Sequence, residues 1–344
     1  MRMVKALLLG SVMMVALFIT FLVVVHKMRP DLAEFSAFFS GAKLDPVNAD
    51  KSPEESVKAI YFGTSTILIT DGVTSIMTDG FFSRPSAAQL LIGKLEPDRA
   101  IIRKALVAAG ITKVAAVIPI HSHHDHALDS PEIAQQTGAM LLGSASSVQI
   151  GRGWGVPESQ LQIAENSQPY TFGKFKVTLI PGQHTPVPAV MQWLTGIGEA
   201  IERPMQFPAR LADFKEGGSF SVLIEHPLGN VLVHGSGGFV ERALDKVSAD
   251  VVFLGVAGAS RLPPSYLEEY YQQTVTAVGA TRVIPVHWDD FTLPVADNKL
   301  TPMPQLVDDF ASSLGFVLTM AGKTNARVTL MQYQDEMKLY PPGG

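Results

Sequence analysis

The sequence predicts a layered α/β (α+β) domain behind one N-terminal transmembrane helix. Three observations carry this. Residues 6–25 are an apolar run without a charge, strand-like and helical stretches alternate beyond residue 57, and three short apolar runs each lead to a histidine. Those runs are 114–120 before His121, 177–180 before His184, and 283–286 before His287. Strand ends gathered on one edge of a sheet give polar chemistry a rigid support, so the histidines are expected to converge.

The first run, ALLLGSVMMVALFITFLVVV, spans about 30 Å as a helix, the thickness of a hydrocarbon core. A cleaved signal peptide is the rival reading, but its apolar part is shorter and a small-x-small site follows it closely. Here His26, Lys27, Met28, Arg29 and Pro30 follow, and the nearest cleavage candidate, around Ser40 to Ala42, is too far downstream. Arg2 and Lys5 before the run balance Lys27 and Arg29 after it, so flanking charge does not orient the span. With no second span, the simpler topology is single-pass, with the large domain on the extracytoplasmic side. Residues 1–29 are thus read as an anchor, 30–56 as a linker rich in Pro, Asp, Ser and Lys, and 57–340 as the folded domain.

Within the domain, two strand-like runs over 59–78 flank Asp71-Gly72, a dipeptide suited to a tight hairpin. Helices are expected over 98–109, with Asp98 as N-cap, and over 130–137, with Ser130 as cap and Pro131 in the first turn. Hairpin signals recur at Phe172-Gly173-Lys174 and over 227–230, and helical stretches at 264–278 and 304–313.

Composition removes several classes of function. The 344 residues carry 27 Lys+Arg against 32 Asp+Glu, without a basic run, so no positive field recruits nucleic acid. The absence of cysteine excludes disulfides, zinc fingers, iron–sulfur ligation and thiol catalysis. Any metal has to be held by His, Asp or Glu.

The segment His121-Ser122-His123-His124-Asp125-His126 places four of the nine histidines of the chain, and an aspartate, within six residues. In extended backbone His121 and His123 point the same way, while Asp125 and His126, where the chain turns into a helix, address a second point. The spacing therefore serves two neighbouring metal ions, and imidazole with carboxylate suits zinc and related dications.

This HxHxDH pattern, His121, His123, Asp125 and His126, resembles the signature of the metallo-β-lactamase superfamily, and the likeness extends from about residue 57 to 339. It implies a four-layer αββα sandwich. It also implies a first metal site from His121, His123 and His184 and a second from Asp125, His126 and His287. Asp79 matches an acidic residue that orients ligands from behind, although a turn aspartate capping a strand is an equal reading. The sequence His287-Trp288-Asp289-Asp290-Phe291 looks most like the branch that contains ascorbate-6-phosphate lactonase and the N-acylphosphatidylethanolamine phospholipases.

One departure matters. After the strand at 230–233 the superfamily has Gly-Asp, whose aspartate bridges the two metals, whereas this chain reads His234-Gly235-Ser236. With the hydroxyl of Ser236 in the bridging position, no negative charge lies between two dications there, so the expectation is one tightly bound Zn2+ and a weaker second, other divalent ions remaining open. His234 or Asp289 could compensate; the alternatives are a hydrogen-bonded strand histidine and a surface or helix-capping aspartate. His124 is expected to face away from the metals, His226 to be solvated, and His26 to lie at the membrane interface. The apolar segment 186–218, with Met191, Trp193, Leu194, Met205, Phe207, Leu211 and Phe214, is either packing or a lid over the pocket.

The chemistry expected is hydrolysis, because a metal lowers the pKa of bound water and polarises the oxygen under attack. Asp125 would orient that water or pass on its proton, and His234 would protonate the leaving group. The expected activity is a membrane-anchored hydrolase of a small or lipid-like ester, lactone or phosphodiester; the alternative is a non-hydrolytic metal-binding accessory protein.

Overall fold

The computed structural model describes residues 20, 23–24, 28–39, 56–188, 192 and 195–340. Fourteen strands appear among them. They are β1 (Val57–Tyr61), β2 (Ile67–Thr70), β3 (Ser75–Thr78), β4 (Ala116–Ile118), β5 (Met140–Gly143), β6 (Leu161–Ile163), β7 (Pro169–Phe172), β8 (Phe175–Gly182), β9 (Ser219–His226), β10 (Gly229–His234), β11 (Val251–Gly255), β12 (Arg282–Val286), β13 (Arg327–Val328) and β14 (Glu336–Tyr340). Two seven-stranded sheets result, in the orders β14-β1-β2-β3-β4-β5-β6 and β13-β12-β11-β10-β9-β8-β7. A single apolar cluster runs through both sheets.

The helices are α1 (Ala87–Ile92), α2 (Arg99–Ala108), α3 (His124–Ala127), α4 (Ser130–Thr137), α5 (Ala145–Trp154), α6 (Pro264–Tyr271) and α7 (Phe310–Thr324). Helices α4 and α5 pack on the first sheet, and α7, with α6 beside it, on the second, giving the αββα sandwich. Parallel strands covered on both faces must be apolar throughout, and β4 and β11 are buried along their whole length. Hairpins form where turn chemistry calls for them: Asp71 Oδ1 accepts the N–H groups of Val73 and Thr74, with Gly72 at φ +84° between them.

Local chemistry decides where several expected elements begin. Asp98 caps α2, accepting from the N–H groups of Ala100 and Ile101. Ser130 does not cap α4. It is already helical, and its hydroxyl donates to the Asp79 carbonyl at 2.5 Å. The N-cap position belongs to Asp129, whose carboxylate instead accepts from Phe82 N–H, Ser83 N–H and Ser83 Oγ. The helix expected over 304–313 begins only at Phe310, capped by Asp309, because Asp308 is committed to Gly258 N–H and Ser260 Oγ and holds the preceding residues as a loop.

The reading of 30–56 as a linker does not fit its first third. Residues 28–39 are docked on the domain: the Phe35 ring lies 5.3 Å from Phe310, Phe39 lies 6.2 Å from Trp288 and forms a β-bridge with Leu330, and Arg29 pairs with Asp290 at 2.7 Å. The run Phe35 to Phe39 supplies the reason, since apolar side chains next to an apolar groove gain by burial. The rest of that stretch, 40–55, lies outside the described residues, as do His26 and nearly all of the apolar run 6–25. Among the described residues no helix is long and apolar enough to cross a membrane.

Candidate metal centre

Strand direction gathers the site. Strands β3 and β4 are parallel, β8 and β10 are both antiparallel to β9, and β10, β11 and β12 are parallel. Asp79, His121, His184, Ser236 and His287, which follow β3, β4, β8, β10 and β12, therefore emerge on one edge of the sandwich.

Two triplets converge there: His121, His123 and His184 in one, and Asp125, His126 and His287 in the other. Within each, the candidate ligand atoms all lie within 4.8 Å of one another. The triplets adjoin, with the His121 and His126 rings 3.9 Å apart. Hydrogen bonds fix the ring orientations. His123 Nε2–H donates to the Thr195 carbonyl at 2.7 Å, which turns its Nδ1 lone pair toward His121 Nε2, 3.0 Å away. His184 Nδ1–H donates to the Thr185 carbonyl at 2.8 Å, leaving Nε2 as the acceptor. His126 Nδ1–H donates to Asp79 Oδ2 at 2.8 Å, leaving Nε2 3.3 Å from His287 Nε2 and 3.7 Å from Asp125 Oδ2. Asp125 Oδ2 is 3.2 Å from His287 Nε2.

The first triplet favours neutral imidazoles, whereas at His126 burial acts to lower the pKa but the Asp79 and Asp125 carboxylates outweigh it and raise it. Burial, followed by the charges of neighbouring histidines, holds His121 well below its ordinary range, and burial with His184 brings His123 down to about 3. Burial lowers His184 as well. At Asp125 burial acts to raise the pKa, but His126, His124 and His287 outweigh it and hold the carboxyl well below its usual range. Five imidazoles and one anionic carboxylate, their acceptor atoms crowded together, form a donor set that fits divalent transition-metal ions, zinc among them.

The support around the cluster is rigid and buried. Asp79 is fully buried; its Oδ1 accepts Ile120 N–H at 2.8 Å while Oδ2 holds His126. Asp79 thus acts from behind a ligand candidate rather than as a strand cap. His287 sits at φ +60° with its N–H donated to the Thr64 carbonyl at 2.7 Å, and Thr64, Asp79 and Arg84 also adopt positive φ. Left-handed backbone at residues other than glycine is strain that the surrounding structure must hold in place. A side chain on Gly238 would overlap the His184 carbonyl, so glycine there lets the two loops close on each other.

The residues read as possible compensators take other positions. Both ring nitrogens of His234 are engaged, Nδ1 with Ser221 Oγ at 2.7 Å and Nε2 with the Gly238 carbonyl at 2.8 Å. Its ring therefore braces the turn after β10 and has no nitrogen to give to a metal or a leaving group, which corrects its reading as ligand or proton donor. Ser236 Oγ accepts Thr185 N–H at 2.9 Å, tying its loop to the one that carries His184. Asp289 is neither at the surface nor a helix cap. It is 1% exposed, pairs with Arg84 Nη2 at 2.6 Å and accepts Thr64 N–H at 2.7 Å.

His124 belongs to neither triplet: its ring sits against an aromatic wall of Phe81, Phe214 and Phe291, with Nδ1 3.6 Å from Asp125 Oδ1. His226 is not solvated; its side chain is buried against Phe175 beside Asp71, at the end of β9 remote from the centre. Of the apolar segment after His184, Met205, Phe207, Leu211 and Phe214 pack into a second apolar cluster with Phe81 and Leu95, while Met191, Trp193 and Leu194 lie outside the described residues. Sequence reasoning missed Arg84 and the Thr185 and Thr195 carbonyls. A lone basic residue amid Phe81-Phe82-Ser83 was a usable signal for a buried ion pair; a backbone carbonyl leaves none.

No protein-family model matches the sequence. Among curated proteins, a UPF0173 metal-dependent hydrolase of Oenococcus oeni is 26% identical over 201 residues, covering 56% of this chain and 80% of that protein. An isothiocyanate hydrolase from Delia radicum gut bacteria has a crystal structure that aligns over 82% of this chain and 99% of its own, at 14% identity and a TM-score of 0.50. The metallo-β-lactamase fold protein YhfI of Bacillus subtilis aligns over 83% and 99% at 14% identity and a TM-score of 0.45.

Proposed function

We propose that this chain, whose two seven-stranded sheets with helices outside them fit the αββα sandwich that its HxHxDH resemblance implies, is a metal-dependent hydrolase, held at a membrane by residues 6–25, that acts on an ester, lactone or phosphodiester. The observation that carries the reading is the convergence of two three-residue donor sets on one sheet edge. The named hydrolase of Oenococcus oeni supports metal dependence and the reaction class. The charge-free length of 6–25 supports the anchor, and with it a lipid-like or small-molecule substrate and an extracytoplasmic domain.

His121, His123 and His184 would hold the tighter ion, which we take to be zinc, and Asp125, His126 and His287 a weaker second. A dication so held supplies Lewis acidity and a nucleophile at neutral pH. The chain's own residues do the rest. The Thr195 and Thr185 carbonyls fix the tautomers of His123 and His184, and Asp79 fixes that of His126. Asp125, anionic and next to His287, would orient a proton-bearing group through Oδ2. Phe81, Phe214 and Phe291 keep water from one side of this carboxylate's neighbour His124.

The test is elemental analysis of the purified protein followed by turnover on a panel of esters, lactones and phosphodiesters. Bound metal with turnover of one class supports the proposal. Bound metal without turnover assigns the protein to the accessory class, a reading favoured by the commitment of Ser236 to Thr185 where a bridging carboxylate is expected.

A further inference from the structure

The described chain enters the domain next to the metal centre. Arg29 pairs with Asp290 and donates to the Pro302 carbonyl, and the Met28 carbonyl accepts Gln305 N–H at 2.7 Å. Asp290 is three residues from His287. The apolar run ends at Val25, three residues before Met28, a distance that extended chain covers in about 10 Å. Around this entry point the apolar side chains face outward: Met28 is 41% exposed, Leu306 52% and Val307 49%.

A second outward apolar element lies on the other side of the same loop. Arg84 holds Asp289 by its carboxylate and Asp290 by its carbonyl, and α1 begins three residues later. Helix α1 buries none of its residues; it is kept by a capping box of Ser86 with Gln89 and by the packing of Leu90 against the cluster that includes Phe291. Its Leu91 and Ile92 are 81% and 90% exposed, with the exposed base Lys94 just beyond. Apolar side chains presented outward beside a cation fit the boundary between acyl chains and anionic headgroups.

We propose that the face flanking the Asp289–Phe291 loop, with Met28, Leu306 and Val307 on one side and Leu91, Ile92 and Lys94 on the other, rests on the lipid surface, so that the metal centre opens at the bilayer. This rests on the reading of 6–25 as an anchor, and on no particular substrate. The occupant is a bilayer because the chain that leads into this face is the apolar run itself.

The absence of cysteine allows a single label. Full-length Ile92→Cys and Leu306→Cys, each carrying a bimane fluorophore, would be reconstituted in vesicles of phosphatidylcholine and phosphatidylglycerol with or without brominated acyl chains. Val73→Cys serves as the control: it is 85% exposed, but in the β2–β3 turn, the far end of the strand that leads to Asp79. Bromolipid is expected to reduce the fluorescence at 92 and 306 at least twofold and to leave 73 unchanged. If the protein floats with the vesicles but 92 and 306 are no more quenched than 73, the docking face is wrong and the anchor stands. Self-quenching at 92 that grows with protein density, without bromolipid quenching, gives the face to a second copy and equally overturns it. Failure to float after alkaline carbonate overturns both readings.

Discussion

Asp79 divides its carboxylate between backbone and ligand: Oδ1 accepts Ile120 N–H and Oδ2 accepts His126 Nδ1–H, both at 2.8 Å. One buried side chain thereby fixes the end of β4, from which His121 emerges, and the orientation of an imidazole in the other triplet. Burial raises its pKa, against the opposing pull of His126. The orientation of His126 is thus held by the fold itself.

An amide has one acceptor oxygen where Asp79 uses two. Asp79→Asn should therefore free either Ile120 N–H or His126, and weaken metal binding at the second triplet by about 10–100-fold. Calorimetric titration of metal into wild type and variant checks this, with the first triplet as internal reference.

His121→Ala and His123→Ala should each abolish metal retention and hydrolysis together, because each removes one of three protein donors from the triplet proposed to hold the tighter ion. His226→Ala, remote at the other sheet edge, should leave metal content unchanged while lowering stability through lost packing on Phe175. Elemental analysis beside a thermal melt separates the two kinds of loss.

Ser236→Asp should strengthen the second metal. Asp125 is the sole carboxylate in the two triplets, so two dications would leave a large surplus of positive charge that a further anion offsets. Calorimetry on wild type should find one tight ion and a weaker second; two tight ions in wild type would remove the premise.

Burial lowers His234 from the ordinary 6.5 to about 4, so the unfolded chain takes up this proton first as the pH falls. Its contribution to stability is complete above about pH 6.5, declines toward pH 4 and is flat below, an effect on the order of 3 kcal/mol. His234→Gln should flatten the stability profile between those limits, read by urea titration at several pH values.

Asp289 and Arg84 form an ion pair with side chains 0% and 3% exposed. Removing one member strands the other charge, so Asp289→Ala should cost about 3–5 kcal/mol and loosen the His287 loop. A melt, with the double variant Asp289→Ala, Arg84→Met recovering part of the loss, distinguishes the pair from a metal ligand.

Much of the fold and of the donor set was written in local patterns. Apolar runs ending at His121, His184 and His287, the Asp71-Gly72 turn and the Asp98 cap are properties of a few neighbouring residues, and a residue type at fixed spacing reports directly on backbone geometry and ligand chemistry. Tertiary structure decided what those residues do when several partners compete for them. Ser130, expected as a cap, turns its hydroxyl to the Asp79 carbonyl from inside the helix, the Asp129 carboxylate before it is drawn to Ser83, and His234 lost both nitrogens to Ser221 and Gly238. Asp289, indistinguishable in sequence from a surface aspartate, is buried because Arg84, more than two hundred residues earlier, meets it there. A hydrogen bond goes to whichever partner is nearest in space, and spatial neighbours on different strands are fixed only when the sheets close.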